Sequence, residues 1–302
     1  MELRQLEYLV AVVDEASFTR AAEKLHVAQP GVSAQIRLLE RELGQDLLDR
    51  SGRTVRPTQA GVLVTQHARQ ALAATAGARQ AVDEITGLIR GRVTIGMVVA
   101  CSFLDLFDLL AAFHADHRDV EVTLSEENSD RLMEGLLSGR LDLAFVALAG
   151  ATPPGVELNV VADEAFVAAV RHDDPLARRR SVELAALGDR PLIVMPPGTG
   201  LRTALDDGFA TLRVRPRIAL EASNLRVVAG LAIRGLGVAI LPASTATSFA
   251  ADLHAVAITR PRLQGRLALA WRTGGTLSPA ARALIDRARA LHPGSNVRPS
   301  AT

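Results

Sequence analysis

The chain has 302 residues, 34 Lys and Arg against 33 Asp and Glu, and a formal net charge of +1, so it does not work by bulk attraction to a polyanion. Its length and 48% apolar content predict two or three well-cored folding units rather than disorder. The single cysteine, Cys101, excludes an internal disulfide and a multi-cysteine metal site.

Glu2, Arg4, Glu7, Asp14 and Glu15 interrupt the N-terminal stretch, so no signal-peptide apolar core is expected. Residues 17–43, SFTRAAEKLHVAQPGVSAQIRLLEREL, then read as two short helices joined by a tight turn. Ser17 is a candidate N-cap. Phe18, Ala21, Ala22 and Leu25 share one helical face, with two small residues that admit a close second helix. Residues 26–28 break the pattern, with Val27 as the apolar plug of the turn. Pro30 falls in the first turn of the next helix, where a missing N–H costs nothing. Val32, Ile36, Leu39 and Leu43 form its apolar stripe, and Gly44 closes it. The opposite face carries Gln29, Ser33, Ala34 and Arg37, short or hydrogen-bonding side chains suited to a major groove. An apolar stripe alone is common in helical domains; the agreement of cap, turn, proline and following hairpin points to DNA.

That hairpin spans residues 47–56, with Ser51-Gly52 at its tip and Arg50, Arg53 and Arg56 spaced by three. Arginines on a narrow ribbon reach phosphates or a minor groove. Residues 1–66 nevertheless hold eight basic and nine acidic residues, so DNA affinity must come from where the arginines sit. Thr58 is a candidate cap for a long alanine-rich helix running to Arg90. Val64, Ala68, Ala71, Thr75, Ala78, Val82, Ile85 and Ile89 alternate steps of four and three, a heptad seam that predicts pairing with another helix. The expectation is a dimerisation helix, against the alternative of a linker helix packed on its own domain.

From Arg92 onward strands and helices alternate. Strands are expected at 93–99, 120–124, 141–146, 166–170, 192–195, 218–222, 238–241 and 267–271. Helices are expected at 104–113, 129–137, 181–187, from about 201, at 225–234 and at 278–291. Alternation with apolar strands predicts mainly parallel sheets covered by helices, arranged as two lobes with a ligand site beyond the strand ends. The apolar stretch 225–241 holds Arg226 and Arg234 and breaks at Gly235, so no membrane span is expected. Gly198-Thr199-Gly200 lacks the later glycine and lysine of a phosphate loop. The seven histidines are scattered, and no serine-centred elbow occurs. No catalytic residue, metal or cofactor is therefore expected; a DNA-independent enzyme or a solute-binding protein is the alternative reading.

Residues 1–50, the 56–61 run RPTQAG, the 138–144 run SGRLDLA and the 235–242 run GLGVAILP resemble the LysR-type transcriptional regulators, and the resemblance covers nearly the whole chain. It implies a bacterial, cytoplasmic regulator of α/β class. Its parts would be a winged helix-turn-helix over 1–57, a dimerisation helix over 58–90 and a two-lobed, periplasmic-binding-protein-like effector domain over 91–302. Lobe I would comprise 91–161 and 266–302, and lobe II 162–265. The implied partners are double-stranded operator DNA, a small-molecule effector, a second copy in a homodimer or homotetramer, and RNA polymerase. Carried over by position, Gln29, Pro30, Ser33 and Arg37 would face the major groove and Arg53 the minor groove. Arg4, Ser17, Thr19 and Arg50 would meet phosphates. The effector would lie near Ala100, Cys101, Ser102, Asn128, Ser129, Thr199 and Arg202. Many relatives place a hydroxyl at the positions of Met97 and Ala100; this chain has apolar residues there.

Overall fold

A computed structural model of the chain describes residues 1–52, 54–85, 89–98, 106–274, 277–291 and 296–297. The expected site residues Arg53, Ala100, Cys101 and Ser102 lie outside the described residues. The chain divides into a unit built on Met1–Gly91 and another built on Arg92–Leu137 and Leu141–Thr273.

The N-terminal unit opens with α1 (Leu3–Glu15), α2 (Phe18–Lys24) and α3 (Gln29–Leu43). Leu6, Leu9 and Val12 of α1, Ala21 and Ala22 of α2, and Val32, Ile36 and Leu39 of α3 pack into one core. Leu43, expected in that stripe, is instead exposed at the last residue of α3. A two-residue ladder follows, β1 (Leu48–Asp49) against β2 (Arg56–Pro57), antiparallel. Then comes α4 (Gln59–Ile85), with Thr58 as its capping residue: the Thr58 hydroxyl accepts the Gly61 N–H at 3.0 Å. The helix ends before the expected Arg90. The first part of its seam packs inside the chain, where Val64, Ala68 and Ala71 meet the core that α1 shares. Val62 and Leu63 remain exposed on another face of α4.

The C-terminal unit begins with β3 (Gly91–Val98), α5 (Leu106–Asp116), β4 (Val120–Glu127), α6 (Ser129–Leu137) and β5 (Leu143–Leu148). The 16-residue strand β6 (Val156–Arg171) then leaves this first lobe for the second. There follow β7 (Ser181–Glu183), α7 (Leu184–Leu187), β8 (Leu192–Val194), α8 (Gly200–Leu212), β9 (Ile218–Glu221), α9 (Leu225–Ile233), β10 (Val238–Pro242), α10 (Ala243–Ser248) and β11 (Leu253–Thr259). The chain returns through β12 (Gln264–Arg272) to α11 (Pro279–Leu291).

Strand order is β4-β3-β5-β12-β6-β10-β8-β9, with β11 paired to β6 and β7. The pairs β3–β5, β8–β9, β8–β10 and β7–β11 are parallel. Every pairing of β6 and β12 is antiparallel, so the sheets are more mixed than the expected mainly parallel arrangement. The reason is the crossover: one strand has to end one lobe and start the other. Residues 156–165 of β6 pair with β12, and residues 166–171 with β10 and β11. At the switch, Gly265 gives room to Phe166, whose ring would lie 2.1 Å from a Cβ there. Among the described residues, no helix is long and apolar enough to cross a membrane.

Candidate functional site

The N-terminal unit presents α3 on a frame held by short-range bonds. The Ser17 hydroxyl caps α2 by accepting the Arg20 N–H at 3.4 Å, and Thr19 is exposed on the next turn. His26 takes a left-handed φ of 54°. Val27 N–H then closes the turn onto the Ala22 carbonyl at 3.0 Å. Pro30 lies in the first turn of α3, as its missing donor requires. Gln5 of α1, buried, donates to Gln35 of α3 at 3.2 Å and fixes the angle between the helices. Gln29, Pro30 and Arg37 are exposed and Ser33 is half-buried, so the four residues expected to read bases share the outward side of α3. Arg4 is exposed on α1, where its Nε donates to the Tyr8 hydroxyl at 2.9 Å and its guanidinium lies over the Tyr8 ring.

Arg50, expected at a phosphate, is engaged within the unit. Its guanidinium pairs with Glu40 at 2.6 Å and lies 5.3 Å above the Phe18 ring. Glu40 is the residue that sequence reasoning missed. Buried near the end of α3, it accepts the Leu47 and Leu48 N–H groups at 3.0 and 3.2 Å as well as Arg50. One carboxylate thus ties the reading helix to the first strand of the hairpin. The signal was a glutamate at a position flanked by the apolar stripe. At the hairpin, Asp49 accepts both the N–H and the hydroxyl of Ser51, bonds that hold its carboxyl below the usual range. Val55 N–H reaches the Ala16 carbonyl at 3.1 Å and pins the far side.

The C-terminal unit holds a cavity of about 290 Å³ between its lobes. It lies at the carboxyl ends of β3, β5, β8 and β9, where open α/β sheets place ligands. Lobe I contributes Val98, Glu127, Asn128, Ser129, Ala147 and Leu148. Lobe II contributes Met195, Pro196, Thr199, Leu201, Ser223 and Leu225. The floor is the crossing pair, with Ala162, Glu164 and Phe166 alternating along β6 and Arg266 and Leu267 from β12.

Asn128, Ser129 and Thr199 therefore come together as expected, while Arg202 does not line the cavity. Arg202 is nearly enclosed, donating to Asp206 at 2.9 Å, to Glu221 at 2.6 Å and to the Met195 carbonyl at 3.2 Å. Asp206 and Glu221 raise its already high pKa against the opposing effect of burial. The Ser129 hydroxyl donates to the Ala147 carbonyl at 2.8 Å and accepts the Ala147 N–H at 3.2 Å, clipping α6 to β5. Asn128 caps α6 by accepting the Arg131 N–H at 3.0 Å. The Thr199 hydroxyl donates to the Pro196 carbonyl and caps α8. Glu164 accepts the N–H and hydroxyl of Ser244 at 2.9 and 3.0 Å. Loop 196–200 approaches lobe I closely: Asp130 N–H meets the Gly198 carbonyl at 3.4 Å, and a Cβ on Gly200 would lie 2.5 Å from the Ala147 oxygen.

Known proteins share both halves of this arrangement. Residues 3–62 match the model described as bacterial regulatory helix-turn-helix protein, lysR family, and residues 86–292 match the LysR substrate binding domain. The chain is 34% identical over 288 residues to the HTH-type transcriptional regulator YnfL of Escherichia coli, covering 93% of this chain and 96% of that one. It is 32% identical to the nitrogen assimilation regulatory protein nac of Klebsiella aerogenes, covering 95% and 93%. Among solved structures, a cysteine-to-aspartate variant of full-length OxyR from Pseudomonas aeruginosa superposes with a TM-score of 0.76 at 25% identity, covering 100% and 99%. CbnR in complex with its target DNA gives 0.59 at 26% identity, covering 96% and 99%.

Proposed function

The chain belongs to the LysR family of transcriptional regulators, and from that premise we propose that α3 reads operator DNA while the interlobe cavity takes a small-molecule effector. The observation that carries this reading is the outward row Gln29, Pro30, Ser33 and Arg37 on a helix braced at both ends, by the turn at His26 and by Glu40. Gln29 and Arg37 supply the forked donors and acceptors that distinguish base edges, and Ser33 leaves room for the groove floor. Arg4, Ser17 and Thr19 set register on phosphates, and Arg53 follows the adjacent minor groove. Arg50 acts indirectly by holding the hairpin.

The working boundaries are 1–57 for DNA reading, 58–90 for the connecting helix and 91–302 for effector sensing, in lobes of 91–161 with 266–302 and of 162–265. A homodimer, or a homotetramer of two such dimers, presents two α3 helices to an inverted repeat. Exposed Val62 and Leu63 on α4 supply an apolar face for the second copy. The protein works in the cytoplasm, contacts RNA polymerase at promoters and catalyses no reaction. The decisive experiment is genome-wide mapping of the sites retained by the purified full chain. The expected result is a two-fold symmetric motif with half-sites spaced by whole helical turns; an absence of sequence enrichment overturns the reading.

A further inference from the structure

We propose that the cleft between α3 and the β1–β2 hairpin grips the sugar-phosphate strand dividing the two grooves that those elements occupy, with Arg41 as the residue that meets a phosphate. The inference rests on the reading of α3 as a major-groove helix and of the hairpin as a minor-groove element, and adds a contact that neither supplies.

Arg41 continues the outward row of α3. It follows Pro30, Ala34 and Arg37 at steps of four, three and four, so the four residues share one face. Gln29 and Arg41 stand twelve residues apart, about 18 Å along the helix axis. A major groove is about 12 Å wide. A helix that reads base edges with its first turns therefore carries Arg41 to the lip of the groove, where phosphates stand rather than bases. On the other side, Arg53 belongs to the hairpin assigned to the adjacent minor groove. Neighbouring major and minor grooves are divided by a single sugar-phosphate strand, which has to run through the space between α3 and the hairpin.

That space is an open cleft of about 870 Å³, lined by Arg37 and Arg41 of α3, by Asp46 and by Arg50. The charges around it are not equally free. Glu40 is closed by the Leu47 and Leu48 N–H groups and by the Arg50 guanidinium, so that pair brings no net charge to a phosphate. Glu42 pairs with the N-terminal amino group at 2.6 Å. Arg41 is exposed, and its Nε makes one long bond of 3.4 Å to the Arg37 carbonyl. Among the described residues it meets no carboxylate, which leaves the fork of its two terminal nitrogens open to an anion, a geometry that suits phosphate. Asp46 is the one uncompensated acid on this wall among the described residues, and it tempers the attraction. Because the N-terminal residues hold no net positive charge, a cation placed at the strand counts for more than bulk charge.

Salt titrations of DNA binding and phosphate-ethylation interference on the full chain test this, with the operator duplex recovered by site mapping and an unrelated duplex of equal length. Arg41→Gln, an exposed substitution with an unchanged melt, is expected to weaken binding to both duplexes and to lower the salt slope by about 0.9 for each protomer on the DNA. The advantage of wild type over variant then shrinks about threefold per protomer between about 50 and 200 mM salt. Arg41→Lys keeps the charge and is expected to keep the slope. Asp46→Asn is expected to tighten binding to both duplexes. Ethylation of one phosphate per half-site, on the strand between the α3 and Arg53 grooves, is expected to block the wild type and to leave Arg41→Gln indifferent. An Arg41→Gln variant with an unchanged slope and an unchanged interference pattern overturns the clamp. So does a change of preference confined to one base pair, which would make Arg41 a base reader. If Ser33→Arg abolishes operator binding in the same assay, the α3 reading survives that failure; if Ser33→Arg binds as the wild type does, the reading itself falls.

Discussion

The two ends of this regulator are built on opposite logic. In the N-terminal unit most bonds of the frame around α3 span few residues: Ser17 caps α2 three residues before its partner, Pro30 lies one residue into α3, and Glu40 stands seven and eight residues before the amides it holds, with the Gln5–Gln35 bond from α1 added across thirty residues. In the C-terminal unit the cavity is assembled from strands distant in sequence. Ala165 faces Gln264, and Glu164 bonds to Ser244 eighty residues away. A site made of local bonds is rigid and specific; a site made where two lobes share two strands can change shape with what fills it. The division suits a protein whose output must be fixed and whose input must be adjustable.

Two glycines sharpen that contrast and carry the largest expected effects. A Cβ on Gly61 would lie 1.9 Å from the Leu47 carbonyl oxygen, and one on Gly200 would lie 2.5 Å from the Ala147 oxygen. Gly61→Ala forces α4 off the hairpin and is expected to cost about 3 kcal/mol, near the upper end of overpacking penalties, with loss of operator retention. Gly200→Ala pries loop 196–200 from β5 at a cost of about 1–3 kcal/mol and is expected to spare operator binding while removing the ligand response. Thermal melts and gel shifts on both variants check this. If each variant lost both activities, the division of labour would fail.

Glu40→Ala comes next. It leaves two amides and the Arg50 guanidinium without their acceptor. Because Arg50 is about a third exposed, the expected destabilisation is about 2–3 kcal/mol, below the full cost of breaking a buried pair. Urea unfolding gives the magnitude. Equal stability of wild type and variant would mean that the hairpin is held by other contacts.

Base reading should separate cleanly from stability. Ser33→Arg puts a long cation on the groove face and is expected to abolish operator binding with an unchanged melt; Arg37→Ala should cost about 1–3 kcal/mol of affinity and relax preference at one base pair. Arg53→Ala is expected to weaken binding on all sequences and lower the salt slope by about one. An unchanged gel-shift affinity for Ser33→Arg would remove α3 from the groove.

The sequence made the reading unit legible almost residue by residue, because cap, turn and proline rules act over three or four positions. The Ser17 cap, the turn at Val27, Pro30 and Gly44 all fall where those rules put them. It was weaker where partners are distant. The heptad seam of α4 predicts a dimerisation helix; over Val64, Ala68 and Ala71 it packs on the core that α1 shares, and pairing with a second copy belongs to the proposed assembly. Only residues 166–170 of β6 read as a strand, since Glu157, Asp163 and Glu164 break the apolar pattern of its first half. Glu164 sits there to hold Ser244, which no local rule reveals. β11 escaped for a similar reason: His254 and two small alanines blur its alternation. Arg202 shows the limit of carrying a role by position, as its two acidic neighbours come from α8 and β9.

The smallest effect tests whether charge burial within lobe I bears on stability. Asp142 accepts the Thr94 N–H at 2.8 Å and returns its own N–H to the Thr94 carbonyl at 2.9 Å, fastening β5 to β3. Burial raises its pKa, opposed by the Thr94 bond and by Arg272 and Arg92. A carboxyl whose folded pKa is raised contributes stability that is full below its unfolded pKa and is lost as pH rises through the folded value. Asp142→Asn keeps an acceptor for Thr94 and removes the buried charge. The variant is therefore expected to match the wild type below the ordinary carboxylate range and to exceed it slightly at neutral pH. Asp142→Ala orphans the Thr94 amide and should cost about 1–3 kcal/mol at every pH. Denaturation curves at acid and neutral pH separate the two terms: an asparagine variant weaker than wild type at neutral pH would show that the arginines outweigh burial, and would reverse the assigned direction.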